Sequence, residues 1–364
     1  MAAFPHPPIP VTLLTGFLGS GKTTLLARLL ADPAMAGTAV VINEFGEVGL
    51  DHHLLERAQG ETVLLDSGCI CCSVRDGLAA TLRDLLRRAR DGALPPLQRI
   101  VIETTGLADP GPILAMLLSQ PALQQALEIA AVVTAVDGVH GLGQLDAHPE
   151  SLRQAAVADR IVLTKCDLAH PAQLRRLRER LAGLNPHAEL LSAVAGAVPA
   201  DVLLARGGVD HGPGAAHGHA CGPHCSHTHG HPGAHDARVR SHVLTFDTPL
   251  DWEVLSHWLG SLAFFHGERL LRIKGLLAVE GESGPVAVHG VHHLVHEPVQ
   301  LRAWPDADRR SRIVFITWDL GRDAIEAALH RARVDTSGER LPAGAAVAMP
   351  LAGDTAPCPG ATME

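Results

Sequence analysis

The sequence predicts an α/β chain in two parts: a doubly wound, mostly parallel sheet that opens on a phosphate-binding loop, and a smaller α+β unit after it. Three observations carry this. From Val11 to about Leu204, short unbroken apolar runs alternate with amphipathic stretches, the pattern of parallel strands covered on both faces. The first of these runs ends in a Gly-rich loop that leads into a helical pattern. At Gly207–His235 the composition changes to Gly, Pro, Ala, His and Cys with almost no large apolar residue, and a second pattern of strands and helices begins beyond it.

Taken in order, the strand candidates of the first part are Val11–Thr15, Ala39–Asn43, Thr62–Leu65, Arg99–Glu103, Ala130–Asp137 and Arg160–Thr164. Helical readings fall between them at Lys22–Leu30, at Val74–Arg90 with Leu78, Leu82, Leu85 and Ala89 on one face, and at Pro171–Leu184 with Leu174, Leu177 and Leu181. In the second part, Ser241–Asp247 and Arg269–Glu280 read as strands around a helix at Asp251–Phe264, where Trp252, Leu255, Leu259 and Leu262 share a face. Strands at Val286–Val291, Pro298–Ala303 and Arg312–Trp318 follow, then a helix at Arg322–Arg333. The expected division is a phosphate-binding domain over 1–206, a His/Gly-rich disordered linker over 207–238, an α+β domain over 239–334 and a disordered tail over 335–364.

Composition sets outer limits. The chain has 364 residues, 46% hydrophobic, 19% charged and a formal charge of −9, long enough for two cores and too apolar to stay unfolded. The negative balance argues against a nucleic-acid or anionic-membrane binder. No run of about 20 apolar residues occurs and the first residues lack a basic segment before an apolar one, so a cytoplasmic protein is expected. Tyr is absent, while His reaches 23 and Cys 7. Cys69, Cys71 and Cys72 are too close together to pair with one another, which favours metal binding or redox chemistry over disulfides.

Gly16-Phe17-Leu18-Gly19-Ser20-Gly21-Lys22-Thr23 has the G-x-x-x-x-G-K-[ST] spacing, after an apolar strand and before a helix. Its glycines let backbone N–H groups close around phosphate oxygens; Lys22 supplies charge for the terminal phosphates and Thr23 a hydroxyl for Mg²⁺, with Ser20 and Thr24 beside them. A nucleoside triphosphate is the expected ligand. Thr164-Lys165-Cys166-Asp167, at the end of another strand, has the form that reads guanine: the Asp accepts from the base's N–H donors and the Lys stem packs over it. A surface Lys and a helix-capping Asp would look the same, so it is the position after a P-loop that makes GTP the expected nucleotide. Glu103-Thr104-Thr105-Gly106 places an acidic group for Mg²⁺ and a Gly for the γ-phosphate at a strand end, and Asn43–Asp51 carries carboxylates, among them Glu47, on a loop. No glutamine or arginine finger is evident; Arg75 is a candidate.

Gly68-Cys69-Ile70-Cys71-Cys72 stands between a strand and a helix, where thiols ionise readily and bind borderline metals. Two thiolates plus another ligand, with Glu47 as a candidate, is the expected count, against the alternative of small buried apolar cysteines. The set GFLGSGKT, NEFGEVGLD, GCICC, ETTG and TKCD, in this order, resembles the CobW-like metallochaperone GTPases, and LLRIKGLLAVEG, VAVHGVHH and SRIVFIT resemble that family's second domain. The resemblance implies that the C-x-C-C thiols bind Zn²⁺ or a related ion (Co²⁺ or Ni²⁺), that GTP and metal binding are coupled, and that the ion passes to a client metalloprotein. It also implies that Glu103 acts as the carboxylate near Mg²⁺ and that Thr164, Lys165 and Asp167 read guanine. In the family's cobalamin branch a His-rich insertion lies between GTPase motifs, whereas here the His-rich tract follows the GTPase part; the resemblance therefore implies zinc first, with a cobalt chaperone for cobalamin or nitrile hydratase maturation as the alternative.

Eight of the 23 His fall in the 25 residues His211–His235, and His217, His219, Cys221, His224, Cys225, His227, His229 and His231 form a dense set of soft donors on a flexible tract. A metal reservoir is expected there, against an inert linker. A pure metal store is the rival reading of the whole chain, and a P-loop kinase of a small metabolite a second. His289, His292, His293 and His296 read individually as surface or core residues, and a homodimer is compatible with the sequence.

Overall fold

The computed structural model describes residues 8–43, 63–66, 74–193, 196–205, 238–296, 298–305 and 307–336. The loop carrying Glu47, the Cys69–Cys72 segment, the tract from His211 to His235 and the C-terminal tail lie outside the described residues.

The first part is one sheet of seven parallel strands: β1 (Ile9–Gly16), β2 (Thr38–Asn43), β3 (Val63–Asp66), β4 (Arg99–Thr104), β5 (Leu127–Asp137), β6 (Arg160–Thr164) and β7 (Glu189–Ser192). Their order across the sheet is β3-β2-β4-β1-β5-β6-β7. The chain works outward on one side of β1 and then returns to build the other side, so the carboxyl end of β1 faces a switch in topology, where such sheets bind ligands. Register aligns that edge: Asp66, Ile42, Glu103 and Leu14 stand side by side across β3, β2, β4 and β1. On the far side of β1, Gly16 pairs with Ala135, and Asp137 with Thr164.

Helices cover both faces: α1 (Lys22–Leu30), α2 (Val74–Arg90), α3 (Gly111–Ser119), α4 (Pro121–Gln124), α5 (Gly141–Ala147), α6 (Pro149–Ala156), α7 (Pro171–Leu184) and α8 (Ala200–Leu204). Alternate residues of a strand point to opposite faces. Leu13 of β1 therefore joins Leu78, Leu82 and Leu85 of α2, while Leu14 joins Leu25, Leu26 and Leu29 of α1. This two-sided burial is why the strands read as unbroken apolar runs. Two helix faces differ from the expected ones: Leu86 replaces Ala89 in the buried stripe of α2, and α7 buries Leu177, Leu181 and Leu184 while Leu174 is half-buried.

The second part is an antiparallel sheet of β8 (Val239–Phe246), β9 (Leu270–Leu277), β10 (Val286–Val291), β11 (Leu294–Val295), β12 (Val299–Gln300) and β13 (Ser311–Trp318), with helices α9 (Trp252–His266) and α10 (Arg322–Thr336). The strand expected over Pro298–Ala303 shrinks to Val299–Gln300, paired only to β10. Trp252, expected in the apolar face of α9, is exposed, because it is the first helical residue after the Asp251 cap; Trp258 takes the core place, against Phe315 at 5.4 Å between ring centroids.

The two parts are tied by a buried ionic contact and by apolar packing. Leu271, Val291 and Ile316 join the core of the first sheet. Asp159, just before β6, accepts from the Val132 amide (2.8 Å), from Arg272 (2.8 Å) and from Lys274, both on β9. Burial would raise the Asp159 pKa, but Arg272 and Lys274 outweigh it and hold the carboxyl far below its usual range. Burial, with Lys274 and Arg272 adding repulsion, pushes nearby His289 down to about 3, so this imidazole is neutral.

Candidate nucleotide site

The loop between β1 and α1 is held by a few close contacts that its sequence makes possible. Gly16, at φ 143°, passes so near β5 that a Cβ would sit 2.3 Å from the Ala135 carbonyl oxygen. Gly21, at φ 85°, takes the left-handed turn that delivers the chain into α1. The helix then starts with its first N–H groups directed at the loop, a site favourable to anions. Lys22, nearly buried, donates to the carbonyls of Gly16 (2.9 Å) and Phe17 (3.2 Å), which places its ammonium over the loop. Ser20 is fully buried with its hydroxyl unpartnered among the described residues, while Gly19 and Thr24 are exposed at the rim.

The strand ends around this loop bring further groups to it. Thr23 Oγ1 donates to Glu103 Oε1 at 3.3 Å, so the loop hydroxyl and the β4 carboxylate meet although 80 residues separate them. These two oxygens are the kind of hard donors Mg²⁺ takes, and they converge beside the loop. Behind them Thr104 donates to Thr15 at 2.8 Å and joins the ends of β4 and β1. Gly106 lies against the loop: a Cβ there would fall 2.7 Å from Leu18 N.

On the other side, Thr164 Oγ1 donates to Ser20 O at 2.7 Å, and Lys165 Nζ donates to Gly19 O at 2.7 Å and to Asp137 Oδ2 at 2.7 Å. Lys165 adopts φ 53°, a left-handed backbone that turns its side chain back over the loop. Asp137 is a residue that pattern reading passed over as the last position of a strand. Its carboxylate also accepts from the amides of Val139 and His140 (2.7 and 3.0 Å). Burial opposes ionisation of Asp137, but Lys165 and these N–H donors prevail and keep its pKa below the usual range. It thus fixes the lysine. Asp167 is exposed two residues beyond. Burial pushes the Cys166 thiol up and it donates to Leu163 O, so it is a protonated packing residue.

The histidines of the second part are engaged as structure. His293 Nδ1 pairs with Ala263 O at 2.9 Å and His292 Nδ1 with Gly267 O at 3.3 Å. Among the described residues, no group of three or more His, Cys, Asp and Glu side chains is arranged to hold a metal. The expected metal residues Cys69, Cys71, Cys72 and Glu47, and those of the His tract (His217, His219, Cys221, His224, Cys225, His227, His229 and His231), lie outside the described residues. No helix among the described residues is long and apolar enough to cross a membrane.

Comparison with known proteins agrees with this geometry. Residues 10–192 match the family model described as CobW/HypB/UreG, nucleotide-binding domain, and residues 239–333 the cobalamin synthesis protein cobW C-terminal domain. The zinc chaperone YjiA of Escherichia coli (strain K12) is 35% identical, across 88% of this chain and 98% of its own. The zinc chaperone CobW of Pseudomonas aeruginosa is 33% identical, across 89% of this chain and 91% of its own. The crystal structure of Zn(II)-bound YjiA GTPase superposes with a TM-score of 0.66 at 31% identity, covering 90% of this chain and all of that one.

Proposed function

Because the chain belongs to the CobW/HypB/UreG family and is a GTPase, we propose that it is a metallochaperone that couples GTP hydrolysis to the binding of a divalent metal, zinc in the first instance, and passes the ion to a client metalloprotein. One observation carries the reading. Strands β2 and β3, from whose ends the Glu47 loop and the Cys69–Cys72 segment depart, finish level with Glu103 at the edge that holds the phosphate loop. The names of the relatives, zinc chaperones that match nearly the full length, support zinc.

In the reaction, water attacks the γ-phosphorus of GTP, the bond from that phosphorus to the β-phosphate oxygen breaks, and GDP and phosphate leave. Loop N–H groups and Lys22 hold the β- and γ-phosphates, and Gly106 lets its backbone approach the γ-phosphate. Thr23 and Glu103 would hold Mg²⁺, which supplies neutralising charge on the phosphates. Thr164, Lys165 and Asp167 select guanine, with Asp137 setting the lysine. Cys69, Cys71 and Cys72, with Glu47 as a further donor, form the cargo site, so that the loops ordered by GTP assemble the ligands and hydrolysis releases them. The His211–His235 tract raises metal capacity.

Two variants separate the specific site from the reservoir. Deleting residues 211–235 should lower the number of zinc ions bound while metal-stimulated GTPase activity persists. Cys71→Ala with Cys72→Ala should abolish that stimulation and leave the weaker ions in place. Equilibrium dialysis and phosphate release measure both. A store would lose nearly all bound zinc on deletion and show no effect of the double variant on turnover.

A further inference from the structure

Helix α6 is only eight residues long, yet it buries Gln154 completely along with Leu152, Ala155 and Ala156. A buried amide is costly unless its hydrogen bonds are made. Gln154 Nε2 donates to two carbonyls of the loop after β4, Gly106 O at 3.1 Å and Ala108 O at 2.9 Å. Two acceptors in front of the same atom fix which end of the amide faces the loop. The other end, Oε1, is buried without a partner among the described residues. An orphaned oxygen of this kind is costly, so an apolar side chain would suit the position better were it not for the two donated bonds.

The loop so fastened is the one pressed against the phosphate loop. Gly106 has Leu18 in front of it, at a distance no Cβ would tolerate, and Gln154 behind. The far end of α6 is gripped as firmly. Asn185 donates to the carbonyls of Ala155, Ala156 and Ala158 at 2.9–3.0 Å, and Arg272 of β9 donates to Val157 O and to Asp159. Arg153, next to Gln154, lies 4.8 Å from the Trp318 ring centroid of β13 and 3.6 Å from the Asp109 carboxylate.

We infer that Gln154 is a positioning residue: it fastens Gly106–Ala108 to α6, so that the loop's response to the γ-phosphate is carried through α6 to the second domain at Val157 and Asp159. The inference rests on Gly106 as the γ-phosphate contact. Gln154→Leu keeps the volume and removes both donors. It should leave GDP affinity within about twofold and weaken binding of a non-hydrolysable GTP analogue, and kcat/KM, about tenfold, the scale of two hydrogen bonds. The difference in hydrogen exchange of residues 270–277 between GTP-analogue and GDP states should vanish with it. A merely structural role would lower the melting temperature and both affinities alike; that result, or an unchanged preference for the GTP analogue, overturns the inference. Gln154→Met serves if the Leu variant does not fold. Gly106→Ala is measured in parallel. If it loses the GTP-analogue preference while the Gln154 variants keep it, Gln154 is excluded as the fastener; if it too keeps the preference, the reading of Gly106 fails and the inference with it.

Discussion

Lys22→Ala is expected to reduce GTP turnover by about 10²–10³-fold, the range seen when one preorganised donor to developing charge is removed. Lys22 is 8% exposed and its ammonium is held across the phosphate loop by the Gly16 and Phe17 carbonyls, a preorganised donor. The backbones of Gly16 and Gly21 and the Thr164 hydroxyl also hold the loop, beside the two bonds that Lys22 makes to it. Far-UV circular dichroism and the melting temperature should therefore change little while phosphate release collapses. Turnover near that of the wild type would mean that the β- and γ-phosphates lie elsewhere.

Asp159→Ala is expected to cost about 3–5 kcal/mol of stability, because it leaves two cations in a buried interface without their counter-charge. The side chains of Arg272 and Lys274 are only 11% and 17% exposed and both turn to one oxygen of Asp159. Urea denaturation reads the loss as a lower midpoint. Combining Asp159→Leu with Lys274→Met should restore part of it, since the pair then leaves one fewer stranded charge. The pH dependence has a definite sign. Asp159 has a lowered folded-state pKa, so its contribution is complete above the ordinary value of 3.8 and disappears as pH falls through the lowered one. The wild-type protein should lose stability on acidification more steeply than the Ala variant. Equal midpoints in the two proteins at pH 7 would remove Asp159 from the account of how the parts are joined.

The phosphate loop was legible because its chemistry is local: glycines, one lysine and one threonine within eight consecutive residues, after a strand whose apolar run is plain. Glu103 and the Thr164–Asp167 segment were legible for the same reason, each ending a clear strand. Helices α3, α4, α5, α6 and α8 were not. In α6 the buried face includes Ser151, Gln154 and two alanines, and in α5 glycines open the helix, so neither shows an apolar stripe. Strand β7 has only four residues, none fully buried, at the sheet edge. Asp137, Gln154 and Asp159 could not be singled out from the sequence, since their partners are set by tertiary placement; Asp159 and Arg272 are 113 residues apart. Trp252 and Trp258 show the limit of periodicity: both fit an apolar face, and the Asp251 cap decides which one starts the helix in solvent.

In the proposed function, metal and GTP are bound by one coupled device. The most direct measurement is the zinc affinity of the protein held with a non-hydrolysable GTP analogue, with GDP and without nucleotide, for the wild type and for Cys71→Ala with Cys72→Ala, repeated with Co²⁺ and Ni²⁺. One tight site is expected, whose affinity differs between the GTP-analogue and GDP states and which the double variant lacks. Equal affinity in all three states, or a tight nucleotide-sensitive site that survives the loss of both thiols, would contradict it.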